Sequence, residues 1–270
     1  MISRTQFEIC VRYSEAVFDS RRTLRILPLR REGQIVRRED IRILPPAISQ
    51  PVIDPFGNRV LVLSHARIER KFRLTMGLEV ETTGEPVPDA LLPSALLPDA
   101  QPHLVMWKMP SRAVRFVPEL QSVARFAREM PTLERAAHFS RFCFLQLEYE
   151  AKTDACPPSS SEVWQRGYGN CADFAHVFLS LCRCSGMMAR YVAGFNLSQG
   201  QMHAWAEVWS DGAWHAFDPT VGRAASLGSV AVAVGRDFHD CAPHQGSFRG
   251  AATAHLMLFC RTQTQERDKR

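Results

Sequence analysis

A thiol, an imidazole and a carboxylate stand along this chain in the order Cys171, His203, Asp218. Those three groups can run nucleophilic acyl transfer. A carboxylate that accepts from one ring nitrogen fixes the imidazole, whose other nitrogen takes the proton from the thiol. Each residue alone is weak evidence, so the elements that must position them decide the matter. Cys171 follows Asn170, a favourable helix cap, and opens an apolar stripe of Cys171, Phe174, Ala175, Phe178, Leu181 and Cys182. The spacing predicts a helix that ends near Gly186, with Cys171 in its first turn. Free N–H groups and the positive end of the helix dipole favour a thiolate there. Cys182 shares the stripe without that advantage and reads as a packing residue, while Asp173 supports the dipole provided that it points away from the sulfur.

Residues 202–209 and 213–220 are alternating, aromatic-rich segments around Asp211-Gly212, a strong hairpin signal. Closing the hairpin there pairs Ser210 with Ala213 and Trp205 with Asp218. His203, Trp205, Glu207 and Trp209 then share a face with Trp214, Ala216, Asp218 and Thr220. His203 and Asp218 become diagonal neighbours, roughly 7–8 Å apart at the backbone. His215 falls on the opposite face. Among the aromatics, Trp205 and Tyr168 are candidates to line a substrate cleft, and Trp209 and Trp214 suit the core.

The expected architecture is α+β. Residues 1–84 read as an N-terminal antiparallel, sandwich-like β domain, with strands in QFEICVRY, RTLRILPLR, DIRILPP, NRVLVLSH and KFRLTMGLEVETT and a turn at 54–58. A proline-rich linker is expected over 85–110. A catalytic domain follows over 111–262, with helices in 116–130 and 132–149, and then a basic disordered tail over 263–270. Hydrophobic residues are 46% and charged residues 23% of the 270, a globular balance rather than that of a disordered or fibrous chain. The chain shows neither a signal peptide nor a long apolar span, and its eight cysteines fit free thiols in a reducing compartment. The expected location is therefore the cytoplasm, without a membrane partner. Cys182-x-Cys184 lacks a second finger-like element, so no metal or other cofactor is expected. The net charge of +5 is set partly by the N-terminal Arg21, Arg22, Arg30, Arg31, Arg37 and Arg38 and by the tail, runs that suit a solvated face and lack aromatic interleaving, which argues against a nucleic-acid partner.

GNCADFAHVFLSLCRCSGMMARYVAGF around Cys171, HAWAEVW around His203 and FDPT around Asp218 are similar to the transglutaminase-like superfamily, in its bacterial cysteine peptidase branch. Residues 232–250 resemble the strand and loop that follow the acid in that branch, and the strand-rich first half resembles its preceding β domain. The resemblance implies a papain-like core in which the nucleophile's helix packs on an antiparallel sheet. It also implies Cys171 as nucleophile, His203 as base and then acid, and Asp218 as the group orienting the imidazole. The backbone N–H of Cys171 and, secondarily, Trp164 are the oxyanion candidates. The substrate is then a peptide, protein or acyl amide, attacked to give a thioester. Resolution by water makes a peptidase or amidase, and resolution by an amine makes a transglutaminase or amide synthase. An idle interaction module of the same fold is the reading from a different class. Oligomeric state is left open.

Overall fold

The computed structural model describes residues 1–83, 87–88, 105–151, 157–196, 201–226 and 228–265, apart from the side chains of 87, 88 and 201. Most of the expected linker and residues 266–270 of the expected tail lie outside these residues.

The first six strands are β1 (Ile2–Tyr13), β2 (Val17–Leu24), β3 (Gln34–Leu44), β4 (Ile48–Ile53), β5 (Arg59–Ile68) and β6 (Lys71–Thr82). Alternation drives them: Phe72, Leu74, Met76, Leu78 and Val80 of β6 are buried, as are Phe7, Ile9 and Val11 of β1. The turn over 54–58 forms as expected, with the Asp54 carboxylate accepting from the amides of Phe56 and Asn58, both at 3.0 Å. The strand expected in RTLRILPLR stops at Leu24, and the buried Ile26, Leu27 and Leu29 continue as irregular chain around Pro28, which has no N–H to donate. β4 carries no alternation because it is an exposed edge strand, where Pro51 is tolerated.

The core elements begin with β7 (Val87–Pro88), α1 (Pro118–Phe126), α2 (Thr132–Gln146), β8 (Glu148–Tyr149), α3 (Ser160–Arg166), β9 (Tyr168–Gly169) and α4 (Cys171–Cys184). β10 (Ala189–Asn196), β11 (Gln201–Ser210), β12 (Ala213–Asp218), β13 (Arg223–Ala224), β14 (Val230–Gly235) and α5 (Phe238–Cys241) complete it. Its sheet runs β13-β12-β11-β10-β14, antiparallel, with β7 paired to β12. Helix α4 lies on β10 and β11 and is surrounded by α1, α2 and α3, so Phe174, Phe178 and Leu181 are fully buried. Arg183, near the negative end of α4, is buried and donates to the carbonyls of Ala189 (3.0 Å), Met109 (3.2 Å) and Arg236 (2.6 Å).

The chain then returns to its beginning. β15 (His244–Arg249) pairs with β2, and β16 (Ala254–Gln265) pairs with β1 from Tyr13↔Ala254 to Ile2↔Gln265. Two four-stranded sheets result, β16-β1-β6-β3 and β15-β2-β5-β4. This corrects two boundaries: the catalytic segment does not run on to 262, and residues 263–265 are strand rather than disordered tail. Most of β16 is exposed, so its burial pattern carries no signature, and its pairing is set by the open edge of β1 far away in sequence. The sheets meet the core along its edge strand β14. The buried amides of Gln34 and Asn58 bond the backbone of Ala231 (2.8 and 2.9 Å) and Val234 (2.7 and 2.8 Å), closing an edge that would otherwise be unpaired.

Candidate active site

Helix α4 begins where the cap residue predicts. The side chain of Asn170 accepts from the amides of Ala172 (2.9 Å) and Asp173 (3.3 Å). Asp173 closes a capping box: its Oδ2 accepts from the Asn170 amide at 3.0 Å and from Arg166 at 2.8 Å. Its charge is thus turned back onto the cap and an arginine rather than toward the sulfur, as expected. Gly169 is required one step earlier, because a Cβ there would stand 2.5 Å from the Asp173 Cβ. These contacts fix the half-buried Cys171 at the first turn, and its backbone N–H has no acceptor among the described residues.

The hairpin closes on Asp211-Gly212 in the expected register, from Ser210↔Ala213 to Ala206↔Phe217. Both turn residues take positive φ, 51° at Asp211 and 81° at Gly212, which aspartate tolerates and glycine favours. His203 and Asp218 are buried, and His203 Nε2 lies 2.7 Å from Asp218 Oδ2. The other carboxylate oxygen accepts from the Thr220 amide (3.0 Å) and hydroxyl (2.6 Å), and Ser140 of α2 donates to the Asp218 carbonyl at 3.3 Å. Every atom of the acid is therefore held by a neighbour. His203 Nδ1 is buried, forms no aligned hydrogen bond, and is the nitrogen left for the thiol of Cys171, which lies within interacting reach of the ring. Such loose nucleophile–base contacts are normal before substrate binds.

Electrostatics favour the imidazolium that proton transfer would create. Burial opposes charge on His203, but the hydrogen bond to Asp218, the nearby Cys171 thiol and the charges of both outweigh it and raise the group to about 10. Burial likewise opposes the Asp218 carboxylate, yet the hydrogen bond and charge of His203 and the two bonds from Thr220 hold it below its ordinary range.

The remaining sequence candidates separate clearly. Trp205 is not a cleft residue. Only 1% exposed, it packs with Leu29, Val192, Ala231 and Val234 because the N-terminal segment covers that face of the sheet, and it stacks on His203 with centroids 6.4 Å apart. Trp214 is equally buried and Trp209 packs against it, both in the core as expected. Tyr168 is 41% exposed, with the Arg166 guanidinium 4.9 Å above its ring. The indole of Trp164 stacks on Phe142 at 5.8 Å. His215 faces away from Asp218 and meets the Ser210 carbonyl at 3.2 Å. Cys182 is fully buried, and burial pushes its thiol well above the usual range. Sequence reasoning missed the support given by Ser140 and the pairing of Arg166 with Asp173. It also missed Tyr149, whose phenol is pushed up by burial and then by the charges of Cys171 and Asp218. Asp218-Pro219-Thr220 was a readable signal for the Asp–Thr turn, whereas Tyr149 follows the end of α2 without periodicity. Among the described residues, no cluster of His, Cys, Asp or Glu could hold a metal ion, and no helix is long and apolar enough to cross a membrane.

Residues 121–219 match the transglutaminase-like superfamily core, and residues 4–81 match the bacterial transglutaminase-like N-terminal region. An uncharacterized protein of Mycobacterium leprae is 26% identical over 258 residues, covering 86% of this chain and 88% of its own. An uncharacterized protein of Mycobacterium tuberculosis is 25% identical over 137 residues, 45% of this chain and 44% of its own. A candidate cysteine protease from Cytophaga hutchinsonii shares the fold with a TM-score of 0.75, at 22% identity over 98% of this chain and 92% of that one.

Proposed function

We propose that this chain, a transglutaminase-like core behind a bacterial transglutaminase-like N-terminal region, is a thiol acyl-transfer enzyme that hydrolyses peptide or amide bonds. One observation carries the reading: His203 is clamped by Asp218 through Nε2 at 2.7 Å while its other nitrogen is left for Cys171 at the start of a helix. In this mechanism Nδ1 of His203 takes the thiol proton and the sulfur attacks the carbonyl carbon. The tetrahedral oxygen is received by the N–H of Cys171, with Trp164 as the candidate second donor. His203 then protonates the leaving amine as the C–N bond breaks, which leaves a thioester. Water, deprotonated by His203, resolves the thioester to an acid and returns the thiol. Asp218 holds the ring in one tautomer throughout and stabilises the imidazolium.

One contrast supports Cys171 as the reactive thiol rather than the buried cysteines around it. It is half-buried, whereas Cys143 and Cys182 are fully buried with their thiols pushed up by desolvation. The test is product analysis on a library of peptides and acyl amides, with and without added amine. Free acid as the product in both arms supports hydrolysis, and a new amide formed in preference to acid moves the assignment to an amine-accepting transferase. Labelling of Cys171 by iodoacetamide no faster than that of the other cysteines would sink the enzyme reading in favour of an idle module.

A further inference from the structure

β8 and β9 are two-residue strands paired in parallel, Glu148 opposite Tyr168 and Tyr149 opposite Gly169, immediately before Asn170 and Cys171. The amides of Glu148 and Glu150 donate to the carbonyls of Gly167 (2.9 Å) and Gly169 (2.8 Å), so the backbone of Tyr149 is fixed beside the thiol's helix. Its strand partner has no side chain, and the Tyr149 ring instead meets Phe174, in the first turn of α4, at 6.1 Å. Its phenol is pushed up by burial and then by the charges of Cys171 and Asp218. Phe144 rests against Gly222 in the turn that follows Asp218, where a Cβ would come within 2.9 Å of the Phe144 Cβ. Val221, in the same turn, donates its amide to the Asp218 carbonyl at 3.2 Å.

These three apolar side chains stay open: Phe144 is 45% exposed, Tyr149 44% and Val221 41%. Single exposed apolar residues need no explanation, but three bordering one buried His–Asp pair and its thiol do. We propose that Tyr149 on the thiol's side, with Phe144 and Val221 on the side of Asp218, is the specificity-determining shelf of the enzyme. It receives an apolar side chain of the acyl donor next to the attacked carbonyl. This rests on the thiol acyl-transfer reading above and names its substrate class: peptides or acyl amides with an apolar or aromatic group on the acyl side.

Two alkylating probes test it without a known substrate, iodoacetamide and N-benzyl iodoacetamide. In each, the Cys171 thiolate displaces iodide and forms one S–C bond. Rates at Cys171, read by mass spectrometry of the full chain, are compared with those for free cysteine. The expected result is a preference for the benzyl probe about tenfold above that of free cysteine, the discrimination typical of a small apolar pocket. Tyr149→Ala removes the preference, read as the ratio of the two rates, and Tyr149→Phe keeps it. Should Tyr149→Ala not fold, Val221→Ser on the exposed turn carries the test through a smaller loss of preference. A wild-type preference equal to that of free cysteine overturns the shelf, and so does a full preference in folded Tyr149→Ala or, if that variant does not fold, in Val221→Ser. Slow iodoacetamide labelling of Cys171 with the benzyl preference intact would instead count against the acyl-transfer chemistry, so the two failures are distinguishable.

Discussion

At opposite ends of α4, Cys171 and Cys182 occupy the same apolar stripe and meet different physics. Cys171 stands at the capped start, half-buried, with His203 beside it and its backbone N–H unengaged among the described residues. Cys182 is enclosed by the core near the other end, where desolvation pushes the thiol well above its usual range. Residue type therefore does not distinguish a candidate nucleophile from filler. Helix position, solvent access and a tethered imidazole do.

Paired substitutions at the two ends sharpen the comparison. Cys171→Ala should remove turnover by about 10⁴-fold or more while leaving the thermal midpoint nearly unchanged. Cys182→Ala should keep kcat and instead lose about 1–2 kcal/mol of stability, read by denaturant unfolding. Full activity in Cys171→Ala would break the contrast. His203→Ala should approach the Cys171→Ala loss, whereas His215→Ala, on the other face of the hairpin, should stay near wild type in the same assay.

Asp218→Asn comes next, with an expected loss of about 10²- to 10⁴-fold in kcat through the wrong ring tautomer. Its stability signature depends on pH. The raised His203 contributes fully below its ordinary 6.5, and that contribution is lost as pH rises through about 10. The depressed Asp218 contributes above its ordinary 3.8, and that contribution is lost as pH falls through its lowered folded-state value. The stability gap between wild type and Asp218→Asn should therefore be widest between 3.8 and 6.5 and close toward pH 10, as urea titrations can read. The smallest effect concerns the helix start alone. Gly169→Ala forces a Cβ to 2.5 Å from Asp173 and should cost about 1–3 kcal/mol while slowing alkylation of Cys171. Unchanged labelling would show that the cap does not position the sulfur.

Legibility followed locality. The thiol's helix and the hairpin register could be read because each is fixed by a cap or a turn within a few residues: Asn170 for one, Asp211-Gly212 for the other. The pairing of His203 with Asp218 followed from that register. Features set by distant partners could not be read. β16 is mostly exposed and acquires its role only from the edge of β1, and Trp205 resembles a cleft aromatic until the N-terminal segment covers its face. Tyr149 belongs to a two-residue strand whose partner lies beyond a further helix, so no period marks it.

The pairing of Ile2 with Gln265 makes the transglutaminase-like core an insertion within a discontinuous β layer. During synthesis β1 and β2 precede β15 and β16 by the whole core, so these edges of both sheets stay open while the core is translated. Removal of residues 254–265 should consequently harm solubility before chemistry, leaving the intact reacting groups on a molecule prone to strand-to-strand self-association.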